Sequence, residues 1–195
     1  MGNWIEPMTI RTLSKNGKIW GGVGFTDIIA VQKELKKDNI DIGNNFKIIG
    51  MDAIFINHDV KIGMNVTFKQ TDGWVERANV VISSGTIIGD DCSFEHETHF
   101  GYNCILGNNI KVDCRCTFDS EVLIGSNVII ERCCKIIDNS IIGNNVTIGV
   151  GSEIYNSIIA DNVLIGNHVK LKNCKIDKYS IIENYVNMIS NKITI

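Results

Sequence analysis

Proline is almost missing from this chain, with one in 195 residues. Glycine and asparagine must therefore do the turning. An excess of either charge is missing too. Lys and Arg number 19 against 22 Asp and Glu, for a net charge of −3, so the basic footprint of a nucleic-acid binder is not there. No apolar run approaches the ~18 residues of a membrane span, and the N-terminus has no basic-then-apolar leader. Glu6 stands where a myristoylation signal requires Ser or Thr. One soluble domain with a small appendage is expected, cytoplasmic, with its seven cysteines reduced. Ile, Asn and Lys have AT-rich codons, which hints at an AT-rich genome. A viral source is one reading of that, and the compartment is then the host cytoplasm.

From Ile82 onward helical spacing is also absent. What replaces it is a step of six. From Ile82 every sixth residue is large and apolar: Ile88, Phe94, Phe100, Leu106, Val112, Phe118, Ile124, Ile130, Ile136, Ile142, Ile148 and Ile154. The series shortens by one to Ile159, Ile165 and Leu171, and again to Ile176 and Ile182. Two residues before each stop sits a smaller side chain, such as Cys92, Thr98, Cys104, Cys116 or Ser140. Residues two apart on a strand share a face, so each hexad sends one large and one small side chain inward. Three hexads make one coil, and residues 18 apart stack at the strand spacing of ~4.8 Å. Both shortenings fall at the same corner of successive coils.

The pattern resembles the left-handed parallel β-helix of hexapeptide-repeat proteins. The handedness comes from the resemblance alone, because crossovers between parallel strands are otherwise right-handed. The fold class expected is all-β, with about eight coils in a prism about 38 Å long, preceded by a short hairpin and helix. The expected division is 1–40 for that front end and 41–195 for the β-helix. IGNNF, INHDV and IGMNV continue the hexad upstream with a small insertion, and 69–80 breaks the phase as a loop. Asn16-Gly17 signals a two-residue hairpin turn, and Thr26 can cap a helix ending near Asn39.

Stacking the coils separates three corners. The first, with IGDDC, LGNNI, IGSNV and IGNNV, carries a glycine ladder beside an Asp/Asn ladder, residue types that tolerate positive φ. His168 fills an Asn slot and reads as a turn residue. The second corner holds FEHET, VDCRC and IERCC. Glu95, Asp113 and Glu131 should form a carboxylate column there, flanked by His96, Cys114 and Arg132 and then by Glu97, Arg115 and Cys133. The column is either a solvated wall of alternating charge or a binding surface. The third corner should leave Tyr102 exposed. Cys92 and Cys104 read as core fillers on different faces, and His96 and His99 as outward, so the four do not converge on a metal.

NGKIWGGVGFTDIIAVQKELKKDNIDIG, FKIIGMDAIFINHDVKIGMNVTF and GTIIGDDC resemble the hairpin, helix and first coils of bacterial bifunctional N-acetylglucosamine-1-phosphate uridyltransferase/glucosamine-1-phosphate acetyltransferases. The resemblance covers residues 16 to 92. Beyond that the repeat is generic. The family's nucleotide-binding domain does not fit in this chain, and Trp20-Gly21-Gly22-Val23-Gly24 is no phosphate loop, since no Arg or Lys follows it. The acetyltransferase half of the family has its histidine base in Gly-Ser-Lys-x-x-His-Leu-x-Tyr. His99 and Tyr102 keep only the His-x-x-Tyr spacing.

The resemblance implies a protein of UDP-N-acetylglucosamine metabolism acting on a sugar phosphate or nucleotide sugar, and a homotrimer. One form is an acyltransferase using acetyl-CoA, with His99 as base, Tyr102 orienting substrate and the carboxylate column at a subunit interface. The other is a non-catalytic scaffold for a separate nucleotidyltransferase chain. No metal, nucleic acid or membrane is expected in either.

Overall fold

A computed structural model describes residues 9–12, 23–24, 39–49, 53–70 and 79–190. The hexads become short strands arranged in three parallel sheets, one on each side of a prism. Face 1 has eight strands running from Asp41–Ile42 to Lys175–Ile176. Face 2 has eight from Lys47–Ile49 to Ile181–Ile182. Face 3 has ten, ending at Asn187–Ile189. The architecture is the left-handed parallel β-helix that the resemblance implies. No helix occurs among the described residues, and the helix expected before Asn39 lies outside them.

The register follows the sequence arithmetic. Ser93 pairs with Lys111, 18 residues on, and Ile141 with Ile158, 17 on. The shortened turns end at Asn156 and Asn173, which stack at the third corner with a side-chain hydrogen bond of 2.8 Å. The coils before residue 87 are longer. Asp41 pairs with Lys61, and Lys61 with Ile87. The excess in the second of these lies between Lys69 and Asn79, where the hexad loses phase. Residues 71–78, the loop itself, are outside the described residues.

At the front, Thr9–Thr12 adds to face 3 beside Ala53–Ile56 and pairs antiparallel with Val23–Gly24. Thr9 faces Gly24 and Ile10 faces Val23, a register symmetric about the Asn16–Gly17 step. The residues joining the two strands are outside the described set.

The interior is a column of the large and small slots. Ile82, Phe94, Phe100, Phe118, Ile136 and Ile154 are fully buried, and so are Cys92, Cys104, Cys116 and Cys134. Each such large side chain contributes about 1.5–3 kcal/mol by leaving water. Four phenylalanines form one continuous stack, with ring centroids 5.1 Å apart for Phe68–Phe94, 5.2 Å for Phe94–Phe100 and 5.1 Å for Phe100–Phe118. Burial pushes the Cys92 and Cys104 thiols up to about 11, which suits core fillers rather than nucleophiles.

The first corner divides its labour in a way the sequence did not separate. Its glycines do not carry the positive φ. That falls two residues later, on Asp91, Asn109, Asn127, Asn145 and Asn162. The glycines serve close approach instead. A Cβ on Gly89 would lie 2.5 Å from the Gly107 carbonyl oxygen, and one on Gly125 would lie 2.8 Å from the same atom of Gly143. The first turn residue locks adjacent coils through its side chain. Asn108 Oδ1 accepts from the Asp90 amide at 2.8 Å, and Asn144 Oδ1 from the Ser126 amide at 2.8 Å. A Gly89→Ala substitution therefore forces two coils apart. It is expected to cost about 1–3 kcal/mol in urea unfolding, in the range of overpacking. A cost under about 0.5 kcal/mol would show that the coil spacing is not set by these glycines.

Candidate functional site

Face 2 turns two rows of side chains outward. One row contains Lys69, Glu95, Asp113, Glu131, Gly149, Gly166 and Glu183. The other contains Ser93, Lys111, Ile129, Thr147, Leu164 and Ile181. Parallel pairing places Glu95, Asp113 and Glu131 on successive coils, about 4.8 Å apart along the ladder. All three line a groove of about 310 Å³, with Lys69, Lys111 and Ile129 on its walls. Stacked carboxylates repel, and the structure relieves this at one end. Lys69 Nζ lies 3.1 Å from Glu95 Oε1. Asp113 Oδ1 accepts the Cys114 amide at 2.6 Å. The groove thus carries three carboxylates, with Lys69 and Lys111 near one end and Val112, Ile129 and Ile130 among its apolar lining.

The second corner departs from the expected outward wall at Glu95, His96 and Cys114, all of which are buried. His96 is buried, only 1% exposed. The outward assignment extended strand alternation through the corner, and that period of two holds only within strands. The same slot on the next coil holds Cys114, also buried, and Arg132 beyond it is exposed. His96 Nδ1 has no hydrogen-bond partner among the described residues. The neighbouring slot is strained. Glu97, Arg115, Cys133, His168 and Tyr185 all have φ between 53° and 62°, where L-residues other than Asn, Asp and Gly are disfavoured by roughly 1–2 kcal/mol each. The first and third corners mostly place Asn, Asp or Gly in this position. Such strain clusters at functional sites, and an observed outlier is a reason to look for one. Two contacts offset it: Arg115 Nε donates to Glu97 Oε2 at 2.8 Å, and the His168 and Tyr185 rings stack at 5.3 Å. His168 is the turn residue the sequence predicts.

His99 and Tyr102 are placed apart from this groove. His99 is exposed on face 3, around the second corner from Glu95, and Tyr102 is 56% exposed at the third corner. Within one chain the structure does not bring the candidate base to the carboxylate column. Below His99 the same outward row of face 3 carries Thr117, Lys135, Glu153 and Lys170. Glu153 sits between Lys135 at 3.4 Å and Lys170 at 2.9 Å and accepts from the Tyr155 hydroxyl at 2.9 Å. The Lys170 and Tyr155 hydrogen bonds hold its carboxyl below the usual range. Sequence reasoning missed this cluster and Lys69, although stepping by 18 and 17 from Lys135 finds it.

Residues 117–191 match the family described as GlmU-like, C-terminal hexapeptide. The matched segment is the part whose sequence reads as generic repeat, downstream of the stretch carrying the specific resemblance. No curated protein matches the chain. Among solved structures, it is similar to a UDP-N-acetylglucosamine O-acyltransferase from Moraxella catarrhalis (16% identity, TM-score 0.47), covering 74% of this chain and 62% of that one. It is also similar to the acetyltransferase domain of PglB from Neisseria gonorrhoeae, solved with acetyl coenzyme A (13% identity, TM-score 0.24), covering 83% and 63%. This chain thus spans less than two thirds of either protein's length. Likeness at these values carries no argument about chemistry.

The buried His96 gives a direct check on the corner. An unsatisfied buried nitrogen costs about 1–3 kcal/mol, so His96→Phe, which keeps the ring and removes the orphan, is expected to raise unfolding stability by about 1 kcal/mol. A loss of that size on denaturant titration would mean that the imidazole is satisfied in solution.

Proposed function

We propose that this hexapeptide-repeat β-helix is an acyltransferase-type protein of UDP-N-acetylglucosamine metabolism that binds an amino sugar phosphate in the face 2 groove and takes acetyl-CoA as its acyl donor. The observation that carries this reading is the mixed charge of the groove. Glu95, Asp113 and Glu131 offer acceptors to an ammonium and to sugar hydroxyls, and Lys69 and Lys111 offer cations to a phosphate. A volume of about 310 Å³ is at the small end of ligand pockets and suits one sugar phosphate. The family match over 117–191 supports the transferase type.

In this reading His99 takes the proton from the sugar amine as that nitrogen attacks the thioester carbonyl. The carbon–sulfur bond then breaks and coenzyme A leaves as the thiol. His99 lies around the corner from its own groove, so the base comes from a neighbouring copy, in a homotrimer, with Tyr102 orienting the substrate. Face 1, the third side of the prism, carries an apolar row outside that contact. Ile87, Ile105, Leu123 and Ile141 are each 38–46% exposed on successive coils beside the glycine ladder, a flat surface that excludes water well when covered. Lys135, Lys170 and Lys172, on the face of His99, supply cations for the phosphates of the donor.

A second reading is favoured by the same separation of His99 from the groove: a trimeric scaffold that binds the sugar ligand and docks a separate nucleotidyltransferase chain without chemistry of its own. The compartment in both is the cytoplasm, of a host cell if the source is viral.

The two are separated by incubating the protein with acetyl-CoA and glucosamine 1-phosphate and following free thiol. The acyltransferase reading expects turnover that falls by a factor of 10² or more in His99→Ala, the scale of general-base loss. Asp113→Asn is expected to raise KM more than it lowers kcat. Sugar phosphate binding without turnover, across a panel of amino sugars, would favour the scaffold. Pyrophosphate release from UTP and N-acetylglucosamine 1-phosphate by this chain alone would contradict both.

A further inference from the structure

The face 2 groove does not end at Glu131. That residue also lines a second groove of about 330 Å³ on the same face, running to Glu183. Along the outer row the carboxylates give way to Gly149 and Gly166 and return at Glu183. The gap is built into the coil. A Cβ on Gly149 would meet the Gly166 carbonyl carbon at 2.6 Å, and one on Gly166 would meet the Asn184 amide at 2.7 Å. A larger residue at either of these two positions would strike the next coil, and with glycine there no side chain projects into the groove that both line. Its wall is the inner row, where Leu164 is 46% and Ile181 66% exposed, with Thr147 above them. No Lys or Arg lines this half.

An aliphatic wall closed at each end by a carboxylate fits a specific chemistry. The C–H face of a pyranose packs on Leu164 and Ile181, and its hydroxyl and ammonium donors reach Glu131 and Glu183. The absence of cations among the lining residues, with an acid at each end, disfavours a phosphate here, in contrast to the Lys69 and Lys111 end. The ladder also repeats at ~4.8 Å, close to the advance of one sugar unit in an extended chain. Successive units can therefore meet successive coils in register.

We propose that the upper and lower grooves form one trough for a short amino-sugar oligosaccharide, with its terminal unit against Glu95 and Asp113 and the following units in the Gly149–Gly166 notch. This rests on the reading of the carboxylate groove as the sugar site and names the length of the ligand that site takes.

The test is calorimetric titration of the intact protein with glucosamine and with a linear β-1,4-linked tetramer of glucosamine. The tetramer is expected to bind at least tenfold more tightly, about 1.4 kcal/mol. Glu183→Gln and Leu164→Lys alter exposed or groove-lining positions away from the core. Each is expected to remove that advantage and leave glucosamine binding unchanged, whereas Asp113→Asn weakens both ligands. Equal affinity for the two ligands, with Asp113→Asn weakening both, would overturn the trough and leave the single-sugar site standing. Tetramer binding unaffected by Glu183→Gln and Leu164→Lys would overturn it as well. No binding of either ligand would overturn both readings together.

Discussion

Everything in this protein depends on one coil lying in register over the next. Backbone hydrogen bonds near 2.9 Å join coils whose paired residues lie 18 or 17 apart and set the pitch, and each coil offers the next the same large side chain, the same small one and the same turn. The pitch is tight enough that glycine fills the close-approach position at most first corners, with Ala160 taking it once. It is also strict enough that a polar side chain on one coil caps the amide of its neighbour. A side chain added on the outside is therefore repeated at a fixed interval, and a β-helix can write a pattern along its face as a straight row.

Face 2 shows what that regularity permits. Acid residues occupy one row for three coils, glycine for two, and acid returns. The second corner beside it concentrates costly local choices: Glu, Arg, Cys, His and Tyr in left-handed conformation, and a buried imidazole nitrogen without a partner among the described residues. The other two corners meet the same geometric demand more cheaply, mostly with Asn, Asp and Gly, Glu121 and Tyr179 being exceptions. The Arg115–Glu97 pair lies on an exposed corner where water screens it, so it offsets little of the backbone cost of the two residues it joins. The corner is therefore maintained against stability, next to the groove that carries mixed charge.

Much of the fold was legible because one number, six, governs it. The large and small slots, the shortened turns at Ile154–Ile159 and Leu171–Ile176, the core role of Cys92 and Cys104 and the loss of phase after Lys69 all follow from counting. What was not legible lies where counting stops. The outward row of a strand is known from its period, but a corner has none, and so His96 was assigned to solvent and lies buried. The two roles within the first corner were merged because glycine and asparagine both tolerate positive φ, and only the spacing of coils distinguishes close approach from backbone hand. Lys69 escaped notice because it closes a coil of 26 residues, so its stacking on Glu95 is invisible at a step of 18. Chemistry was the least legible of all. The His99–Tyr102 spacing suggested a catalytic pair, and the fold puts the two on a face and a corner apart from the carboxylates.

The central claim is that the carboxylate row of face 2 is where a sugar binds. A crystal structure of the protein soaked with glucosamine 1-phosphate and coenzyme A tests it most directly. The account predicts density for the sugar between Lys69 and Lys111, with its amine against Asp113 and Glu131. Sugar density elsewhere, with this groove holding only solvent, would contradict it.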